Sequence, residues 1–181
     1  MTRILVAGIG NIFRGDDAFG VEVARRLARR RLPDAVKVVD FGIRGIDLTY
    51  ALLDGYDAAI LVDAAQRDAP PGTVSILAPD PSVPELAGAD ELFLEPHNLD
   101  PAKVLRLVAA FGGGCRRILL VACEPMSLGD EETGAMGLSP PVAAAVDEAV
   151  AAVERLVGEL LEVSIRSNAD GTQNSELGGM R

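Results

Sequence analysis

The sequence predicts an α/β protein: a three-layer sandwich with a mostly parallel, twisted sheet of about five strands, one antiparallel edge strand and helices on both faces. Three observations lead there. Short apolar runs with β-branched members recur at residues 4–7, 36–39, 58–62 and 118–122, as buried parallel strands require. Helically spaced apolar residues separate most of these runs. Glycine- or acid-bearing turns mark where each run stops.

Composition sets the bounds. The chain has 181 residues, enough for one domain with a sizeable core, and it is 49% hydrophobic but only 4% aromatic, so Leu, Val, Ile and Ala must fill that core. A formal net charge of −10 argues against a nucleic-acid partner, whose phosphates need a basic face. The basic cluster of Arg25, Arg26 and residues 29–31 reads as a solvated helix end that suits the helix dipole. No apolar run is long enough for membrane insertion, and no basic-apolar leader opens the sequence. Two cysteines, Cys115 and Cys123, are too few for a disulfide framework or a cysteine zinc site, which makes a cytoplasmic protein the simplest expectation.

In order, residues 4–7 form the first strand. Gly8, Gly10 and Asn11 turn the chain, and Phe19, Val23 and Leu27 start a helix at helical spacing. Residues 36–39 form a second strand ending at Asp40, followed by a turn holding Gly42 and Gly45 and a short helix over 46–53 with Leu48, Leu52 and Leu53 inward. Residues 58–62 form a wholly apolar third strand ending at Asp63. Residues 74–77 follow after only a short loop, which favours an antiparallel edge strand. Residues 79–96 carry prolines and scattered acids and read as a long loop, a kind of segment often used for function. Asp100 and Pro101 are suited to N-cap and first helical position of a helix reaching about Phe111. Residues 118–122 form the last strand, and Ser139 and Pro140 open a final helix expected to reach about Leu161. The single domain is therefore placed at 1–163, with 164–181 as a disordered tail.

Asp16 and Asp17 stand in the turn after the first strand, where α/β proteins place their chemistry. A dinucleotide fingerprint fails, because Phe13 occupies the third glycine position and two carboxylates would repel a pyrophosphate. Two readings stand side by side: the acids bind a metal or cationic partner, or they cap the following helix. His97 is the only histidine, so any imidazole chemistry must use it. No nucleophile elbow is present. Neither thiol has a motif around it, although Cys123, at a strand end, is not excluded by position. Asp17, Asp63 and His97 together suit a divalent transition metal with open positions. Such a sparse ligand set should hold metal weakly and points to an ion supplied by another molecule.

The blocks Gly8-Ile9-Gly10-Asn11-Ile12-Phe13-Arg14-Gly15-Asp16-Asp17-Ala18-Phe19-Gly20, Asp63 at the third strand's end, and Pro96-His97-Asn98-Leu99 resemble the hydrogenase maturation endopeptidases. The pieces Cys123-Glu124-Pro125 and Gly137-Leu138-Ser139 are similar to that family's carboxy-terminal half, so the resemblance runs from about Arg3 to Leu161. It implies an endopeptidase that removes the C-terminal extension of a nickel-loaded nickel–iron hydrogenase large-subunit precursor. It also implies that Asp17, Asp63 and His97 are the metal-contacting and catalytic set, with the nickel carried by the precursor rather than held tightly by the enzyme. Asp40 matches an acid used in processing. The family often has Thr or Ser in the following turn, where this chain has Gly42, Ile43, Arg44 and Gly45; substrate contacts are expected at Asp40, Gly42 and Gly45. Two other functions fit the same residues: a non-enzymatic precursor- or metal-binding chaperone, and a generic metallo-hydrolase of this fold with its own ion.

Overall fold

The computed structural model describes residues 2–78, 101–129, 134 and 136–173, the last eight by backbone alone. The elements are β1 (Ile4–Ile9), a 3₁₀ turn (Gly15–Ala18), α1 (Phe19–Leu27), β2 (Val36–Gly42), α2 (Gly45–Leu53), β3 (Ala58–Ala64), β4 (Val74–Leu77), α3 (Pro101–Ala110), β5 (Arg117–Cys123) and α4 (Pro140–Gln173). The strands form one five-stranded sheet in the order β2-β1-β3-β5-β4. All pairs are parallel except β4 on β5, which is antiparallel at the edge. The α/β sandwich and the antiparallel edge strand are as the sequence predicts.

Strand alternation divides the core into two layers. Ile4 and Val6 of β1 and Ile60 and Val62 of β3 pack with α1 and α4 through Phe19, Val23, Leu27, Val146 and Val153. Leu5 and Ala7, with Ala59 and Leu61, pack with α2 and α3 through Leu48, Leu52, Val104 and Leu107. β1 and β3 are buried along their whole length, which explains why their sequences are continuously apolar.

Two boundaries differ from the sequence reading, at β2 and α4, while α3 ends within a residue of the expected Phe111. β2 continues past Asp40 to Gly42, because a register shift beside Gly8 and Ile9 lets Phe41 enter the α2 layer without ending the ladder. α3 ends at Ala110, where Gly113 at φ +73° donates its N–H to the Val108 carbonyl at 2.8 Å. α4 continues past Leu161 to Gln173, so the first part of the segment read as a tail is helical. Among its described side chains, which end at Ile165, Leu160 is the last buried one, and Val163 and Ile165 are exposed. The expectations for 79–96 and for Asp100 fall outside the described residues.

Parallel pairing sends the carboxyl ends of β1, β2, β3 and β5 to one edge. Gly8 of β1 is level with Asp40 of β2 and with Val62 of β3, and Asp63 follows one residue further on. The start of α1 is pressed onto this edge: a Cβ on Gly20 would collide with the carbonyls of Val62 and Ile9.

Candidate functional site

The turn after β1 is built so that two adjacent aspartates do different work. Gly10 adopts φ +131°, and a Cβ there would collide with the Asp17 carbonyl, so only glycine lets the chain fold back this tightly. The Phe13 N–H donates to Asn11 Oδ1 at 2.9 Å, the Arg14 N–H to the Asn11 carbonyl at 3.1 Å and the Asp17 N–H to the Arg14 carbonyl at 3.1 Å.

Asp16 points inward and is 1% exposed. Its Oδ2 accepts the N–H groups of Met126 at 2.8 Å and Ser127 at 3.0 Å and the Ser139 hydroxyl at 2.9 Å. Its Oδ1 accepts the Ser139 N–H at 2.6 Å, and its own N–H donates to the Ser127 carbonyl at 3.2 Å. Burial pushes this carboxyl up, but the hydrogen bonds from Ser139, Ser127 and Met126 outweigh it and hold the group below its ordinary value. Asp16 is a buried carboxylate tie between the first turn and the segment leading into α4.

Asp17 differs in each of these respects. It is half-buried, and among the described residues one hydrogen bond to its carboxylate is seen, from the Asn11 N–H to Oδ2 at 2.9 Å. Burial raises its pKa, against the opposing pull of the Asn11 N–H and the Arg14 charge. Neither the 3₁₀ turn nor α1 receives a side-chain capping hydrogen bond, although both acids stand in the first turn of the 3₁₀ helix, where negative charge suits a helix N-terminus. The turn bearing Asp17 packs against β3. Asp63 is 7% exposed and lies, by strand alternation, on the same face as Ala59 and Leu61. Asp17 and Asp63 thus share the sheet's carboxyl edge. His97, the third expected member, lies outside the described residues. Among the described residues no group of three or more His, Cys, Asp or Glu could hold a metal ion.

Asp40 sits on the other face, that of α1. Its Oδ2 is 3.5 Å from Arg25 Nε. The Arg44 guanidinium folds back over the turn, donating to the Phe41 carbonyl at 3.1 Å and to the Asp40 carbonyl. Gly42 adopts φ +55° in open surroundings, and its carbonyl accepts the Gly10 N–H at 3.0 Å, joining the two turns. Gly45 is buried in the first turn of α2, its carbonyl taken by Thr49 Oγ1 at 2.9 Å. The sequence did not reveal the Asp16 partners or the Arg25–Asp40 pair, because both join residues far apart in the chain.

The thiols are not poised for nucleophilic chemistry. Cys123 is buried, and burial, followed by the charges of Asp16, Glu124 and Glu148, pushes its pKa to about 11. Burial also raises that of Cys115. Among the described residues, no helix is long and apolar enough to cross a membrane.

A family model described as hydrogenase maturation protease matches residues 21–156. The chain is similar to the hydrogenase 2 maturation protease of Escherichia coli (strain K12), 35% identical over 167 residues that cover 91% of this chain and 94% of the relative. It is also similar to the hydrogenase expression/formation protein HupM of Azotobacter chroococcum mcd 1, 36% identical over 150 residues, 82% of this chain and 68% of that one. Among solved structures, the hydrogenase maturating endopeptidase HybD from E. coli superposes with a TM-score of 0.68 at 29% identity, covering 87% of this chain and 93% of that chain.

Proposed function

The chain belongs to the hydrogenase maturation protease family, and on that premise we propose that it is the endopeptidase that removes the C-terminal extension of a nickel-loaded nickel–iron hydrogenase large-subunit precursor. The observation that carries the reading is the contrast between the adjacent aspartates. Asp16 is consumed by four internal hydrogen bonds. Among the described residues Asp17 accepts one, from Asn11, and its turn packs at the sheet edge shared with Asp63. A half-desolvated carboxylate with a raised pKa gains more from an arriving dication than a fully hydrated one does.

In this reading the nickel ion arrives with the precursor and is part of the substrate. Asp17, Asp63 and His97 complete its coordination and so bring the scissile peptide to the enzyme's carboxylates. Cleavage then needs a polarised carbonyl and an activated water. The ion supplies the first as a Lewis acid, and a carboxylate freed from coordination can take the water's proton. A precursor without nickel has no ion to dock, so cleavage reports that metal insertion is complete. Asp40 and Gly42, both partly exposed, are the substrate contacts proposed for the second turn. Gly45, buried with its carbonyl occupied, shapes that turn.

The test is incubation with the large-subunit precursor from the same genome, with and without nickel, read by mass spectrometry. The expected result is a short C-terminal peptide released only from the nickel-loaded form, and not by Asp17→Asn or His97→Ala. Binding without shortening would instead identify a precursor chaperone. Cleavage of unrelated peptides by protein purified with stoichiometric metal would identify a generic metallo-hydrolase.

A further inference from the structure

We infer that the groove between α1 and residues 136–138 is the subsite that receives an uncharged, apolar stretch of the precursor polypeptide beside the scissile bond. The inference rests on the peptidase reading above and names where the substrate chain lies. The groove is a cavity of about 350 Å³ walled on one side by Ile12, Ala18 and Val21 and on the other by Met136, Leu138 and Ala143.

Three features point to a polypeptide occupant. First, the groove lies beside the proposed site: Ala18, which lines it, follows Asp17 directly in the chain. Second, its two walls are fastened to each other by Asp16, which binds Ser139, the residue after Leu138. The cleft is therefore a built feature and not a gap between independent loops. Third, its charges are matched. Arg25 pairs with Asp40, and Arg26 pairs with Glu22 at 3.3 Å and Asp147 at 2.6 Å, leaving no excess sign among the described lining residues to select an ion. On its wall stands Met136, 79% exposed, a large apolar side chain on an otherwise strongly acidic molecule. The Arg25–Asp40 pair joins the groove to Asp40, the acid already proposed as a substrate contact on this face.

The experiment compares wild type, Ala143→Phe and Met136→Ser on the nickel-loaded precursor, measuring KM and kcat separately, and Kd with the uncleaved precursor. Ala143 is an exposed helix position, so a larger side chain there fills the groove without entering the core. The expected result is a KM and Kd raised roughly tenfold by Ala143→Phe and a few-fold by Met136→Ser, with most of the loss in KM. Tyr50→Ser, on the exposed face of α2, serves as the control and leaves both constants at wild-type values. If the wild type cleaves and both groove variants match it, the groove assignment fails while the peptidase reading stands. An effect from Tyr50→Ser alone also overturns it, placing the docking face on α2. If the wild type binds but does not cleave, the same comparison is decided by Kd. If it neither cleaves nor binds, the peptidase reading fails and the groove assignment falls with it.

Discussion

Two glycine-bearing turns leave the same edge of the sheet and are closed in opposite ways. The turn after β1 is shut by Asp16, a buried carboxylate whose partners lie more than a hundred residues away in sequence. The turn after β2 is held by Arg44, an exposed side chain whose partners among the described residues are its own neighbours Phe41, Asp40 and Asp47. Long-range, desolvated hydrogen bonds fix a loop as firmly as the core that surrounds it, whereas local contacts in water leave it adaptable. The lesson is a difference in anchoring: the first turn is tied into the core, and the second is held by contacts at the surface; the function proposed above would use the first to fix its chemistry and the second to meet a substrate.

The largest expected effect separates Asp17 from its neighbour. Asp17→Asn and Asp63→Asn should each lower precursor cleavage by at least roughly a hundredfold, measured as peptide released per folded enzyme. Asp17→Asn should leave the urea midpoint unlowered, since it removes a charge that burial disfavours. Asp16→Ala strands the donors of Met126, Ser127 and Ser139 and should cost about 3–5 kcal/mol in urea unfolding. Gly10→Ala and Gly42→Ala compare the turns directly. The first adds a Cβ onto the Asp17 carbonyl and should cost about 3 kcal/mol or more. The second meets nothing closer than 3.7 Å and should cost only about 1 kcal/mol for its left-handed φ. Equal losses would break the distinction. Arg44→Ala should cost at most about 1 kcal/mol, as exposed ion pairs do.

Acid titration gives the two aspartates opposite signs. The folded pKa of Asp16 lies below its unfolded value of about 3.8, so its stabilisation is complete above that pH and is lost as pH falls through the folded value. The folded pKa of Asp17 is raised, so its ionisation costs stability near neutrality, and the cost disappears as pH falls through that raised value. Thermal melts from neutrality downward should therefore show a shallower acid loss for Asp16→Asn than for wild type. Asp17→Asn should gain most at neutral pH.

The fold was legible because β1 and β3 are buried on both faces and say so in unbroken apolar runs, and because β4 follows β3 too closely for a crossover. The site was legible only as a set of acids at strand ends. Which of two consecutive aspartates faces the core depends on Met126, Ser127 and Ser139, and nothing local in the sequence encodes those contacts. Resemblance singled out Asp17, and the geometry supplies a physical reason: Asp16 is already fully occupied. The end of α4 lies beyond the expected Leu161, at Gln173, past the Ala and Val stripe from which the helix was read.

The most direct test of the contrast between Asp16 and Asp17 measures nickel-loaded precursor cleavage and thermal unfolding on one preparation of Asp17→Asn beside wild type. The expected result is cleavage reduced at least roughly a hundredfold with a melting temperature no lower than wild type. Cleavage that survives, or that is lost only in proportion to unfolded protein, would contradict the assignment of chemistry to Asp17 and of structure to Asp16.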